Sequence, residues 1–221
     1  MTTPAAILPA AVLFDMDGTL IDSEPIWFAT EVAILAEFGF ELGPEHTLQV
    51  LGKPNEVVVE YLLEVSRIPL TAAQLNQRID VAMAARLGAG IDLIPGAKEL
   101  LTEVAEAGLP AALVSASSRR VVDACLKSIG AHYFKFTVSG DDVTRPKPNP
   151  EPYLVAAGLL GVDPVDCVVI EDSPSGTAAG AAAGCKVVSV PHGAPIVEHP
   201  LVTIATSLET VTLDRLRELF A

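Results

Sequence analysis

Cysteine is scarce and unpaired in this 221-residue chain: Cys125, Cys167 and Cys185 form neither an even set nor a C-x-x-C pair. That excludes a disulfide scaffold and a cysteine-built zinc or redox centre, and three thiols with apolar neighbours fit a reducing, cytoplasmic setting. Positive charge is also sparse, with 14 Lys and Arg against 28 Asp and Glu and a formal net charge of −14. Such a chain repels phosphate backbones and anionic bilayers, so neither nucleic acid nor a membrane is an expected partner. No apolar run reads as a membrane span; the uncharged stretch from Ser173 to Cys185 is mostly Ala and Gly and is too short. Met1 to Ala11 carries no Lys or Arg, so the charged start of a signal peptide is missing. Neither G-x-x-x-x-G-K-[ST] nor a G-x-G-x-x-G following a strand occurs, which argues against nucleoside triphosphatases and dinucleotide enzymes.

What the chain does have is apolar material, 50% of its residues, enough to bury a core without staples. Short apolar runs bounded by turn residues recur at Ala10–Phe14, Pro110–Val114, Phe134–Val138, Cys167–Ile170 and Lys186–Val190, and read as buried strands. Between the later ones lie helical spacings, Ala97–Ala107, Arg119–Ile129, Glu151–Leu160 and Pro174–Ala183, each followed by a glycine. Alternating strands and helices predict an α/β fold, a doubly wound parallel sheet with a Rossmann-like core of about five strands. Gly176, Gly180 and Gly184, four apart, predict a smooth helix face close against that sheet.

The alternation breaks once. After the first strand some 80 residues pass that read as helices only, Pro25–Glu37, Asn55–Val65 and Thr71–Leu87, with Ser23, Pro54 and Thr71 as openings. The expected division is an α/β core domain of residues 1–21 and 91–221 and a small helical cap domain of residues 22–90 inserted after strand one. Gly88-Ala89-Gly90 would be a hinge between them.

Ligands of open α/β sheets bind outside the carboxyl ends of the strands, so the residues following each strand matter most. Strand one delivers Asp15-Met16-Asp17-Gly18-Thr19, strand two Ser115-Ala116-Ser117, strand three leads to Lys147 among prolines, and strand four ends in Glu171-Asp172. Taken singly each has a local explanation: a surface turn for Asp-x-Asp-Gly, a helix cap for Ser115 or Glu171-Asp172, a solvated loop charge for Lys147. A calcium loop is excluded because Ile26 stands where its closing Glu belongs. Together, at successive strand ends, they describe a site for a phosphate and a divalent cation held by hard oxygen ligands.

This series resembles the four motifs of the haloacid dehalogenase-like hydrolase superfamily, and the helical insertion resembles its small-helical-cap subclass. Asp22-Ser23-Glu24-Pro25 with Trp27, and Lys147 to Tyr153, resemble its sugar-phosphate phosphatase and β-phosphoglucomutase branch. The resemblance implies Asp15 as the nucleophile that forms an aspartyl phosphate and Asp17 as acid and base. It implies Ser115, Ala116 and Lys147 on the phosphoryl oxygens. It implies Mg²⁺ held by Asp15, the Asp17 carbonyl and Asp172, with Glu171 orienting a metal water. β-Phosphoglucomutase-like members carry a His where Trp27 stands, a Lys where Leu51 precedes Gly52, and an Arg where Asn55 stands. Losing those groups favours hydrolysis of a small sugar or polyol phosphate over a mutase, the alternative reading. Trp27, Lys53 and Asn55 are the candidate substrate contacts of the cap. His46, His132, His192 and His199 are scattered without metal spacing, and Arg119 at a helix start hints at an anion nearby. A monomer acting on a small-molecule phosphomonoester is expected.

Overall fold

The structure, a computed structural model, describes residues 8–50, 55–191 and 195–220, so Lys53 and Leu51 lie outside the described residues. Two compact units emerge. One comprises residues 1–22, 92–119 and 129–221, the other residues 23–91 together with 120–128.

The first unit is built on a parallel sheet of β1 (Ala11–Phe14), β2 (Ala111–Val114), β3 (Phe136–Val138), β4 (Cys167–Glu171), β5 (Lys186–Ser189) and β6 (Val202–Ile204). Their order is β3-β2-β1-β4-β5-β6, every neighbouring pair parallel. Ala11 and Leu13 of β1 join Val114, Val169 and Val187 in one cluster with Tyr153, Ala156 and Ala179 of the covering helices. The alternate residues Val12, Phe14, Val168 and Ile170 are just as buried, as a sheet covered on both faces requires. This is the doubly wound α/β class. β6 is the strand that periodicity did not foretell, because a three-residue, half-exposed run following Pro200 carries too little apolar signal.

The helices are α1 (Glu24–Ala36), α2 (Thr47–Val50), α3 (Asn55–Ser66), α4 (Ala72–Gly88), α5 (Ala97–Glu106), α6 (Arg119–Ile129), α7 (Glu151–Leu160), α8 (Pro174–Ala182) and α9 (Leu213–Glu218). Of the spaced glycines on and after α8, Gly180 makes the expected close approach: a Cβ there would stand 3.0 Å from Val187 and 3.2 Å from Val169. Gly176 instead packs on the Glu171 carboxylate, and Gly184 follows the helix rather than facing the sheet. All three cysteines are buried free thiols, and no described helix is long and apolar enough to cross a membrane.

In the helical unit, Thr71 opens α4 with a full capping box, its hydroxyl accepting from the Gln74 N–H while Gln74 reaches back to the Thr71 N–H. Pro25 sits in the first turn of α1, but the Ser23 side chain makes no capping bond. Leu35, Leu62, Leu75 and Met83 are fully buried. Although α6 follows β2 in sequence, most of it belongs to this unit, where Arg120 pairs with Asp80 of α4 at 3.1 Å.

Candidate active site

The strand order reverses between β1 and β4, the place where open sheets bind ligands. Phe14 of β1 is in register with Ile170 of β4, so the residues just beyond them, Asp15 and Glu171, emerge side by side. The Asp15 N–H continues the ladder to the Ile170 carbonyl at 3.0 Å. Gly18 then turns the chain with φ +82°, and a Cβ at that position would collide with the Asp172 carboxylate. Only glycine meets both conditions, which is why the turn can close over a carboxylate.

Asp15, Glu171 and Asp172 are all buried, and one oxygen from each lies within 4.8 Å of the others. Lys147, its side chain only 5% exposed, is no solvated loop charge: its ammonium donates to Asp15 Oδ1 at 2.6 Å, Glu171 Oε1 at 2.8 Å and the Val114 carbonyl at 2.9 Å. Glu171 is saturated. Its Oε1 also accepts from the Tyr153 hydroxyl at 2.9 Å, while Oε2 accepts from the Asp172 and Ser173 N–H groups and the Ser173 hydroxyl, each at 3.0 Å. The cap of α8 is Ser173, whose hydroxyl accepts from the Gly176 N–H, so Glu171 and Asp172 are not needed for that task. Asp172 receives one bond, from the Thr19 hydroxyl at 3.2 Å.

The electrostatics follow from one ammonium among three buried carboxylates. Burial raises the Glu171 carboxyl, but Lys147 and the surrounding donors outweigh it and hold the group below its ordinary value. Burial and the neighbouring Glu171 and Asp17 charges push Asp15 up to about 7 against the pull of Lys147. Asp172, with burial and the same crowding and little help, is pushed up to about 9. The same carboxylates hold the Lys147 ammonium well above its usual range despite burial.

On the other side of Asp15 stands Asp17. Its Oδ2 accepts from the hydroxyls of Ser115 at 3.1 Å and Ser117 at 2.9 Å, and the Ser115 hydroxyl in turn accepts from the Ser117 N–H at 3.0 Å. Asp15, Asp17, Ser115, Lys147, Glu171 and Asp172 are thus brought to one sheet edge, with Ala116 exposed in the β2 loop between the two serines. Ser117, Tyr153 and Thr19 lie within the motifs but carried no assigned role, and the structure shows them bonding Asp17, Glu171 and Asp172. Arg119 is engaged elsewhere: it binds the Asp142 carboxylate, the Thr137 hydroxyl at 2.7 Å and the Thr137 carbonyl at 3.0 Å. The anion it hinted at is a side chain of the protein. In the helical unit Trp27 is half-buried on α1, and the Asn55 amide donates to Asn76 Oδ1 at 2.5 Å. His46 bonds Tyr61 at 2.6 Å; the one candidate metal cluster among the described residues contains no histidine.

The family model for haloacid dehalogenase-like hydrolases matches residues 12–190, which span every group of this edge. The chain belongs to that family. Among relatives of this hydrolase, hexitol phosphatase B of Escherichia coli is 34% identical over 196 residues, covering 86% of each protein. The bifunctional riboflavin kinase/FMN phosphatase of Arabidopsis thaliana is 33% identical over 189 residues, 83% of this hydrolase but only 49% of that longer protein. Among solved structures, a putative β-phosphoglucomutase of Thermotoga maritima superimposes with a TM-score of 0.75 at 27% identity, covering 94% of this chain and 98% of its own.

Proposed function

We propose that this hydrolase is a Mg²⁺-dependent phosphatase that cleaves a small sugar or polyol phosphate through an aspartyl phosphate on Asp15. The observation that carries the reading is the pairing of two differently held aspartates at one strand end. Asp15 lies buried against Lys147, and Asp17 is aimed by the Ser115 and Ser117 hydroxyls. A buried carboxylate beside a cation suits a nucleophile, and a second carboxyl within the same turn suits a proton carrier.

In the first step an Asp15 oxygen attacks phosphorus in line, the bond to the ester oxygen breaks, and the Asp17 carboxyl gives its proton to the departing alkoxide. In the second, Asp17 takes a proton from water as that water attacks the phosphoaspartate, and the Asp15–phosphorus bond breaks to release inorganic phosphate. Lys147 and the Ser115 hydroxyl, with the Ala116 N–H, hold the phosphoryl oxygens.

The donor set fits a hard divalent cation: three buried carboxylates in reach of one another, two of them raised by burial and by crowding that one ammonium does not cancel. Asp15, Asp172 and the Asp17 carbonyl would hold it, and Glu171, with its lone pairs committed, would act from outside the ligand set. Bound there, Mg²⁺ supplies the positive charge that lets a carboxylate approach a phosphate dianion.

Residues 22–90 would serve as a cap domain to the core of residues 1–21 and 91–221, with the Gly88–Gly90 turn as hinge and Trp27, Asn55 and Lys53 contacting the alcohol part of the substrate. The hexitol phosphatase relative supports a polyol or sugar phosphate. The phosphoglucomutase-like neighbour favours a second reading, transfer between two positions of a sugar phosphate.

The test is inorganic phosphate release from a panel of sugar, polyol and glycolytic phosphates with Mg²⁺ or EDTA, wild type beside Asp15→Asn. Release abolished by EDTA and by the substitution is expected. Conversion of a hexose 1-phosphate to its 6-phosphate with little free phosphate would instead establish the mutase, and unchanged release by Asp15→Asn would refute the nucleophile.

A further inference from the structure

Asp17 Oδ2 accepts from two hydroxyls, Ser115 at 3.1 Å and Ser117 at 2.9 Å, and the two donors are not equivalent. A serine hydroxyl has one proton and donates to one acceptor at a time. The Ser115 hydroxyl spends that proton on Asp17 here, yet it is also the hydroxyl that the phosphatase reading places on a phosphoryl oxygen. A phosphoryl dianion offers only acceptors, so Ser115 must give up Asp17 in order to bind it. The Ser117 N–H, which donates to the Ser115 oxygen at 3.0 Å, does not compete for the proton and leaves the hydroxyl able to turn. Ser117 is then the member of the serine pair that stays on Asp17.

The backbone around Ser117 is built to hold it still, and every contact that does so lies within the first unit. The Ser115 N–H donates to the Val138 carbonyl at 2.9 Å, and the Gly140 N–H donates to the Ser117 carbonyl at 2.8 Å. The loops approach so closely that a Cβ on Gly140 would stand 2.4 Å from the Ala116 carbonyl oxygen. Two residues on, the Arg119 N–H donates to the Asp141 carboxylate at 2.8 Å while its guanidinium binds Asp142 and Thr137. A hydroxyl on a loop pinned on both sides keeps its direction, which is what aiming a neighbouring carboxyl requires.

We propose that Ser117 is the positioning residue that keeps the Asp17 carboxyl aimed at the ester oxygen during phosphoryl transfer, once the Ser115 hydroxyl has exchanged its bond to Asp17 for one to the phosphoryl group. The proposal deepens the phosphatase reading and rests on it. Its consequence is selective: an alkoxide needs the Asp17 proton in order to depart, whereas p-nitrophenolate is stable as an anion and leaves without one.

The experiment compares kcat/KM for the best sugar or polyol phosphate of the panel with that for p-nitrophenyl phosphate in wild type, Ser117→Ala, Ser117→Thr, Asp17→Asn and the double variant Asp17→Asn with Ser117→Ala. The ratio of the alkyl to the aryl ester is expected to fall about 10-fold in Ser117→Ala, mostly through kcat for the alkyl ester, and to recover in Ser117→Thr, which keeps the hydroxyl. Partial unfolding lowers both rates equally and leaves the ratio alone. In Asp17→Asn the ratio should fall further, and adding Ser117→Ala should not lower it again, because the two residues act as one unit. A ratio unchanged within about threefold in Ser117→Ala, a loss carried by KM alone, an additive loss in the double variant, or a wild type that cleaves only aryl phosphates overturns the proposal and leaves the phosphatase reading standing. A wild type that releases no phosphate from any ester, indistinguishable from Asp15→Asn, overturns both.

Discussion

At the carboxyl edge of the sheet two of three clustered buried carboxylates, Asp15 and Glu171, share Lys147, and the third, Asp172, accepts from Thr19; in α1 a single buried carboxylate, Glu31, has an oxygen that no donor meets. Both are buried acids, yet the fold has settled one and left the other open. The edge is held by the sheet itself: Lys147 and Glu171 form one unit with Tyr153 and Ser173, and the strain of burying further carboxylates beside them shows as raised Asp15 and Asp172 carboxyls. The helical unit buries Glu31 without solvating it, which leaves its carboxyl raised by burial alone.

Removing the partner from the settled cluster should have the largest effect. Lys147→Met leaves buried carboxylates with no cation, so denaturant unfolding without Mg²⁺ should show a loss of about 4 kcal/mol, with turnover falling below detection. A variant as stable as wild type would mean that the ammonium is not what holds the edge together.

Removing the open carboxylate should do the reverse, with a pH signature. With a folded value of about 8 against an ordinary 4.5, Glu31 binds a proton in the folded state that the unfolded chain has released. Its contribution to stability is therefore fully present below about 4.5 and lost as pH rises through about 8. Glu31→Gln should match wild type near pH 4.5 and exceed it by about 5 kcal/mol above pH 8.5 in urea unfolding. Parallel stability–pH curves for the two proteins would contradict the assignment of a buried, donorless carboxyl.

The smallest effect probes the helical unit where no buried acid is involved. Thr71→Ala removes one arm of the capping box of α4 and should cost about 1 kcal/mol in thermal unfolding without changing substrate preference. A changed preference would mean that the packing of α4 itself bears on substrate choice.

Much of this contrast was legible in the sequence, and unevenly so. The strand-end residues Asp15, Asp17, Ser115, Lys147, Glu171 and Asp172 stand out because fully apolar strands deliver them at one edge, and a parallel sheet has no other place to put them. Ser117 and Tyr153 were hidden because their roles depend on where a loop and a helix face arrive, which local pattern does not encode; their bonds to Asp17 and Glu171 become visible only in three dimensions. β6 was missed because three half-exposed residues have too little periodicity, and Arg119 was misjudged because its anion, Asp142, lies 23 residues on. Glu31 drew no reading of its own from the sequence. The signal was its position four residues from both Trp27 and Leu35, on the apolar stripe of α1, but acids are so common on helices that spacing alone did not mark it.

The central claim, a covalent phosphoenzyme on Asp15, is tested most directly by quenching the enzyme during turnover with Mg²⁺ and a hydrolysed phosphomonoester, reducing acyl phosphates with borohydride, and sequencing the peptides by mass spectrometry. The account predicts reduction confined to the Asp15 side chain, dependent on substrate and Mg²⁺ and prolonged in Asp17→Asn, where the water lacks its base. Steady release of phosphate with Asp15 never modified, in wild type or in Asp17→Asn, would contradict it.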